Sequence, residues 1–476
     1  MKTLRRTKII ATLGPATDSP QVLEQMVLAG IDMVRVNFSH GSLAEHSERI
    51  AAVRDCADRL ERQVGILADL QGPKIRIAGF RHGQVRLQPG QQFVLDSSLP
   101  RAAGTIDGVG TDYKALCTDV EPGSTLLLDD GRIILQVDAI QGTRIVTTVA
   151  VGGVLSDKKG INLKGGGLSA AALTEKDRQD LSHVTDLGVD YVALSFVRGA
   201  DDIQTARRLL GKAGDGIGII AKIERTEAIA NIEDIILVSD GVMVARGDLA
   251  IEIGDAEVPA IQKQIIQRAR AMNKPVITAT QMMESMISSA VPTRAEVSDV
   301  ANAILDGTDA VMLSAETAVG DHPATVVEAV ARVCLSAEKQ PATRTSRHRI
   351  EYRFNRVDEV IAMSAMYAAN HMHIKAVAAI SASGTTPLWM SRIRTGIPIY
   401  GMSHRRRSLG RMTLYRNVYP VYFDMTRLEY SEVKVKVIAE LKRRGLVQPD
   451  DLVIITRGEQ AGRHGGTNAM EIVTVS

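Results

Sequence analysis

Eight short apolar runs, each followed by a longer segment of helical period, constrain the fold of this chain more than any other feature. They are Lys8 to Thr12, Met33 to Asn37, Gly65 to Asp69, Tyr191 to Ser195, Gly218 to Lys222, Val242 to Arg246, Pro275 to Ala279 and Ala310 to Ser314. Runs this short and this rich in Val, Ile and Leu are the mark of strands buried on both faces, as in a parallel sheet. Between them lie helical segments such as Ser42 to Glu61, Thr174 to Leu187 and Pro259 to Asn273. Strand–helix units joined by right-handed crossovers close into a (β/α)8 TIM barrel of the α/β class, with an open doubly wound sheet as the rival.

The alternation breaks between Pro73 and Ser169. There, shorter strand-like runs (Gln84 to Leu87, Thr125 to Leu128, Arg132 to Asp138, Arg144 to Val149) are separated by Gly, Pro and Asp turns. A small β-barrel domain inserted after the third strand would sit over the carboxyl face of the barrel as a lid, with the glycine-rich return Gly160 to Gly167 as its hinge. A polar, basic connector, Gln340 to Arg356, precedes a second α/β alternation (Ala376 to Ser381, Ile397 to Met402, Val418 to Tyr422, Leu452 to Thr456) of four or five strands. The 476 residues exceed what one core organises, and the expected division is barrel 1–72, lid 73–168, barrel 169–340 and a C-terminal α/β domain 341–476.

A net charge of +2 and only 3% aromatic residues leave no footprint for nucleic acid. No apolar run approaches the roughly 18 to 20 residues of a membrane span. The basic start, Met1 to Arg6, is followed by too short an apolar stretch for a signal peptide, so a cytoplasmic location is expected. Cys56, Cys117 and Cys334 are scattered without zinc or disulfide spacing and read as core residues.

Barrel active sites are built at the carboxyl ends of the strands. There the chain places Thr12; Arg35, Asn37, Ser39 and His40; Asp69 and Arg76; Ser195; Lys222 and Glu224; Arg246 and Asp248; Thr280 and Glu284; Ser314 and Glu316. Lys222 and Glu224 stand two residues apart on an extended segment, so both project to one side. With Asp248 at the next strand's end they suggest a hard-cation site of the Mg2+ type, the alternative being a structural Lys–Glu pair. The Ala245 to Asp248 segment could turn backbone N–H groups to an anion or simply make a tight turn. Arg35, Arg76 and Lys222 favour a small polyanion. Neither a P-loop nor a dinucleotide fingerprint is present, and His40 reads as a local hydrogen-bonding residue rather than a general base.

The segments Arg35-Val-Asn-Phe-Ser-His40, Asp69-Leu-Gln-Gly-Pro-Lys74, Ile223-Glu-Arg225, Val244-Ala-Arg-Gly-Asp248, Ala279-Thr-Gln-Met-Met-Glu284 and Ser314-Ala-Glu316 together resemble the pyruvate kinase family, in its order and across the chain. The resemblance implies transfer of the phosphoryl group of phosphoenolpyruvate to ADP through an enolpyruvate intermediate. It implies Glu224 and Asp248 as ligands of Mg2+ or Mn2+, and Lys222 against the transferring phosphoryl and the enolate. Arg35 would hold phosphate, and Gly247 and Asp248 would offer N–H groups to the substrate carboxylate. Thr280 would lie near the carbon that is protonated, and Ser314 and Glu316 would belong to the proton relay. Arg76, His40 and Lys159 would meet ADP, with Asn37, Ser39 and Asp69 beside them. It also implies a homotetramer.

One departure from the family's potassium-requiring pattern is Leu70 and Lys74 where a threonine and a glutamate stand, within a former monovalent-cation set of Asn37, Ser39, Asp69, Leu70 and Lys74. Activity without K+ follows as an expectation, since the lysine ammonium supplies the missing positive charge. In the C-terminal domain Ser381, Ser383, Gly384, Thr385 and Thr386 follow a strand and precede a helical segment, as a phosphate-binding loop or an ordinary helix cap does. They resemble the family's effector pocket for a phosphorylated sugar or nucleotide. His404 to Arg407 and the loop Gly458 to Asn468, with Arg463, add positive charge or are merely exposed basic loops. The competing functions are a metal-dependent aldolase or lyase acting on pyruvate-type enolates, and a silent metabolite sensor.

Overall fold

All eight apolar runs form parallel strands, and the sheet closes because Lys8–Thr12 pairs with Met33–Asn37 on one side and Ala310–Leu313 on the other. The open-sheet rival is therefore excluded. This computed structural model describes residues 4–344, 352–426, 428–458 and 465–476. The strands follow chain order around the barrel: Lys8–Thr12, Met33–Asn37, Gly65–Asp69, Tyr191–Leu194, Gly218–Ile223, Gly241–Ala245, Val276–Ala279 and Ala310–Leu313. Three end one residue earlier than the sequence pattern suggests, so that Ser195, Arg246 and Ser314 stand beyond the ladder. Each has left it for the mouth: Arg246 opens the helix Arg246–Ile253, and the Ser314 N–H turns to the Glu316 carboxylate.

Alternation along the strands divides the side chains between two cores. Ile10, Met33, Leu67, Tyr191, Ile220, Met243, Ile277 and Met312 fill the interior and pack on towards the C-terminal domain. Their neighbours, among them Ile9, Val34, Ile66, Val192, Ile219, Val242, Val276 and Val311, pack outwards on the helices. Capping boxes at Ser42, Thr174 and Thr293 start three of those helices, each pairing its hydroxyl with the N–H of an acidic residue three positions on.

The insertion has its own core, from Ile75 through Phe93, Leu116, Leu126 and Ile133 to Leu168. Its hydrogen bonding runs in a six-stranded sheet and a separate two-stranded pair, Gln84–Leu87 with Gly153–Ser156, rather than in one continuous ladder. The C-terminal sheet has five strands, four parallel and one, Thr467–Thr474, antiparallel at the edge. Residues 345–351 of the connector, and Arg463 with the rest of 459–464, lie outside the described residues. Cys56 and Cys334 are buried in the barrel core, and no helix among the described residues is long and apolar enough to cross a membrane.

Asp309, at the amino end of the eighth strand, ties the barrel to the C-terminal domain. Its carboxylate is fully buried and pairs with the equally buried Arg392 guanidinium. It also accepts from the N–H groups of Val276 and Arg416, each at 3.0 Å. Removing one partner of such a pair leaves an uncompensated buried charge. Arg392→Ala is expected to cost about 3–5 kcal/mol of stability, measured as a lowered denaturant midpoint.

Candidate active site

The mouth of the barrel is organised around one ammonium group. Lys222, near the end of the fifth strand, sets its Nζ 2.9 Å from Glu224 Oε1 and 3.3 Å from Asp69 Oδ1, and donates to Ser195 Oγ at 2.7 Å. Ser195 in turn donates to the Leu70 carbonyl at 2.7 Å. Arg35, from the second strand, shares Asp69 by donating Nε to its Oδ2 at 2.6 Å. Asp69 is 1% exposed. Burial pushes its pKa up, but Lys222 and Arg35 outweigh that and hold it below the usual carboxylate range. For Lys222, burial pulls the pKa down, yet Asp69 and Glu224 more than compensate, and it stays above its ordinary value. The ammonium is a fixed charge at neutral pH.

Glu224 is held from both sides, accepting from the N–H of Phe196, whose φ of +55° turns that group inwards, at 2.6 Å. Its pKa is raised, first by burial, with Lys222 opposing and the charge of Asp248 adding to the rise. Two carboxylates that repel one another at a polar mouth fit a hard divalent cation between them. Among the described residues there is no cluster of three or more His, Cys, Asp and Glu suited to a metal. A Mg2+ ion, which takes only one or two protein carboxylates and fills its shell with water and substrate oxygens, matches that donor set.

Thr280 is strained. Its φ of +68° is unusual for a β-branched residue, and Gln281 follows at +53°. Arg246 holds the strained turn, donating to the carbonyls of Ala279 at 3.2 Å and Thr280 at 2.6 Å. Asp299, on the helix Arg294–Asp306, fixes that guanidinium at 2.6 Å. So positioned, Thr280 Oγ1 donates to Ala279 O at 2.6 Å and accepts from the Gly247 N–H at 3.0 Å. The N–H expected to face a substrate carboxylate is thus already hydrogen-bonded to the threonine. Glu316, also buried, accepts from the N–H groups of Ser314 at 2.6 Å and Met283 at 3.1 Å, and so ties two mouth loops together.

Other expected residues lie further out. His40 and Glu284 are exposed, and Asn37 Oδ1 accepts from the Ser39 N–H at 3.2 Å in a local turn. Arg76 and Lys159 engage the lid itself, through Lys158 O at 3.0 Å and Asp129 Oδ1 at 2.8 Å. Leu70 buries its side chain in the barrel core, while Lys74 brings its ammonium to 3.5 Å from Asp248 Oδ1. In the C-terminal domain Gly384 adopts a φ of +80° and donates to Ser381 Oγ at 3.0 Å. Ser383 and Thr385 hydroxyls meet at 2.8 Å, and the same loop lines a pocket with Thr386, His404 and Thr467. Roles for Arg246, Asp299 and Ser195 were missed. Arg246 and Ser195 carried a signal, a polar residue at a strand's end, whereas Asp299 lies mid-helix and carried none.

The barrel-domain model of the pyruvate kinase family matches residues 4–327, and the family's alpha/beta-domain model matches residues 359–473. Pyruvate kinase II of Salmonella typhimurium is 53% identical over 476 residues, covering 99% of each chain. The pyruvate kinase of Haemophilus influenzae is 52% identical, covering 96% of each, and that of Geobacillus stearothermophilus is 42% identical, covering 99% of this chain and 81% of its own.

Glu252, one turn beyond Asp248 on the same helix, gives the site's surroundings a pH dependence. Burial pushes its carboxyl up to about 7, against the Thr226 N–H at 2.8 Å and the charge of Arg225. The folded chain therefore holds a proton that the unfolded chain releases from about pH 4.3 upwards, and stability is lost as pH rises through that window. Glu252→Gln removes the effect. Its denaturation midpoint, relative to the wild type, is expected to be more favourable at about pH 8 than at about pH 5.

Proposed function

The chain belongs to the pyruvate kinase family, and from that premise we propose how its barrel mouth carries the reaction. It is a phosphotransferase that moves the phosphoryl group of phosphoenolpyruvate to ADP, giving pyruvate and ATP. The aldolase or lyase alternative is set aside, since the full-length relatives are pyruvate kinases.

The observation that carries the mechanism is the permanently charged Lys222 ammonium, bracketed by Asp69, Glu224 and Ser195. Phosphoryl transfer asks a protein mainly for positioning and for positive charge where negative charge develops. Lys222 supplies that charge to the transferring phosphoryl group and to the enolate it leaves behind. Arg35 is committed to Asp69 through Nε and to Thr12 Oγ1 through Nη1 at 3.3 Å, and presents Nη2 to phosphate. Glu224 and Asp248 would hold Mg2+ or Mn2+. When bound, the ion supplies Lewis-acid polarisation of substrate oxygens. Thr280, kept in its strained turn by Arg246, sets its hydroxyl beside the substrate's carboxylate end and the carbon that is protonated, and substrate binding exchanges its hold on the Gly247 N–H for the carboxylate. Ser314 and Glu316 order the loop through which that proton arrives. Arg76 and Lys159 on the lid, with Asn37 and His40 on the barrel, meet ADP.

Lys74 stands for the monovalent cation. Its ammonium lies 3.5 Å from Asp248, and Leu70 offers no hydroxyl to a potassium ion. The loop Ser381 to Thr386 takes the phosphate of a sugar or nucleotide effector, supported by its clustered hydroxyls and the helix Thr385–Arg392 that starts there. A cytoplasmic homotetramer completes this reading.

Pyruvate formation from phosphoenolpyruvate, ADP and Mg2+ in K+-free buffer is expected for the wild type and not for Lys222→Met, which keeps bulk but loses the ammonium. No wild-type turnover, even with K+ and effectors added, refutes the assignment. Added KCl is expected to change turnover by less than about tenfold, about 1.4 kcal/mol of barrier, and a larger rise refutes the role given to Lys74. Isothermal titration with a sugar phosphate or a nucleoside monophosphate is expected to show binding that Ser383→Ala with Thr386→Val weakens. No binding at millimolar concentration would count against an effector site there.

A further inference from the structure

The lid meets the barrel at two crossings, Gly72–Pro73 on the way out and Gly165 to Leu168 on the way back, and neither belongs to a helix or strand. The angle of the lid over the mouth therefore depends on what grips those crossings, beside the Lys74–Asp248 contact between lid and barrel. At the first, the Gly72 N–H donates to Asp177 Oδ1 at 3.0 Å. That carboxylate is fully buried, and its other oxygen accepts from the Thr174 N–H at 2.8 Å, at the start of the helix Glu175–Val184. At the second crossing Gly165, Gly166 and Gly167 have φ of +88°, +83° and +102°, a run that only glycine follows without strain. Three barrel groups hold it. The Gly165 N–H donates to the Glu252 carbonyl at 3.1 Å, the Gly167 N–H to Glu227 Oε1 at 2.7 Å, and Arg225 Nη1 to the Leu168 carbonyl at 3.0 Å. A Cβ on Gly166 would stand 3.1 Å from Glu227 Oε2, which is buried and makes no hydrogen bond among the described residues. The backbone is thus laid directly on the Glu227 carboxylate.

Glu227 lies in the first turn of the helix Thr226–Ala230, which begins just after the strand that carries Lys222. We propose that Glu227 is a positioning residue: by holding the Gly167 N–H it couples the lysine's strand to the lid and sets where Arg76 and Lys159 stand relative to ADP. This rests on the assignment of those two lid residues to ADP. Asp177 grips the first crossing similarly but also caps a helix, so its loss confounds latch and fold. Glu227 separates the two.

The test is steady-state kinetics on the full chain. Glu227→Ala is expected to raise KM for ADP by about fivefold, the worth of one hydrogen bond, with KM for phosphoenolpyruvate and the melting midpoint unchanged. Glu227→Gln, which keeps an acceptor for the Gly167 N–H, restores the ADP value. Gly166→Ala, which drives a methyl group towards the same carboxylate from the lid side, repeats the split between the two substrates. Amide exchange at Gly167 quickens in Glu227→Ala and stays slow in Glu227→Gln. An unchanged KM for ADP in Glu227→Ala, or equal rises for both substrates with a lowered melting midpoint, overturns the proposal. Lys159→Ala tells the two levels apart. If it raises KM for ADP while Glu227→Ala does not, the latch falls and the lid assignment stands; if it leaves KM for ADP unmoved, both fall.

Discussion

A lysine ammonium enclosed by carboxylates can stay charged in a barrel mouth only if its partners are in place, and the Lys222–Asp69–Glu224 group meets that demand. Charge removed from water is costly unless it is paired and hydrogen-bonded. Each member here has a further partner from a different element: Asp69 has Arg35, Glu224 the Phe196 N–H and Lys222 the Ser195 hydroxyl. Closure of the sheet is what makes this possible. The register that sets Asn37 beside Asp69, Asp69 beside Ala193 and Leu194 beside Ala221 brings the ends of four successive strands to one level.

Around that group the chain holds local strain where chemistry is placed. Thr280 and Phe196 both adopt positive φ, and each is held by a charged residue, Arg246 for the first and Glu224 for the second. Such conformations persist only when their surroundings over-determine them. Glu316 serves the neighbouring loops in the same way, spending both oxygens on backbone N–H groups. The charged residues of the mouth therefore do two things, presenting charge to substrate and fixing the backbone that presents the rest.

The lid carries a core of its own and can shift against the barrel without unpacking, whereas one face of the C-terminal domain packs in the same cluster as the barrel interior. Their attachments differ accordingly. The C-terminal domain is anchored by the buried Asp309–Arg392 pair, a contact that favours one arrangement strongly. The lid is attached through glycines and single hydrogen bonds, which suits a part that opens and closes over substrates.

Strand positions, the inserted β segment and the polar residues at strand ends were legible in the string of residues, because apolar period and turn chemistry are local properties. Lys222, Glu224 and Asp248 could be singled out for the same reason: two lie on one extended segment and the third just past the end of the next strand. The pairings that finish the site could not. Arg246 meets Asp299 across 53 residues, and Gly167 meets Glu227 across 60. Nor could the string reveal that the Gly247 N–H is engaged by Thr280, or that Leu70 faces the core while Lys74 faces Asp248. Which donor finds which acceptor depends on barrel closure and on where each loop is gripped, and those are properties of the packed chain.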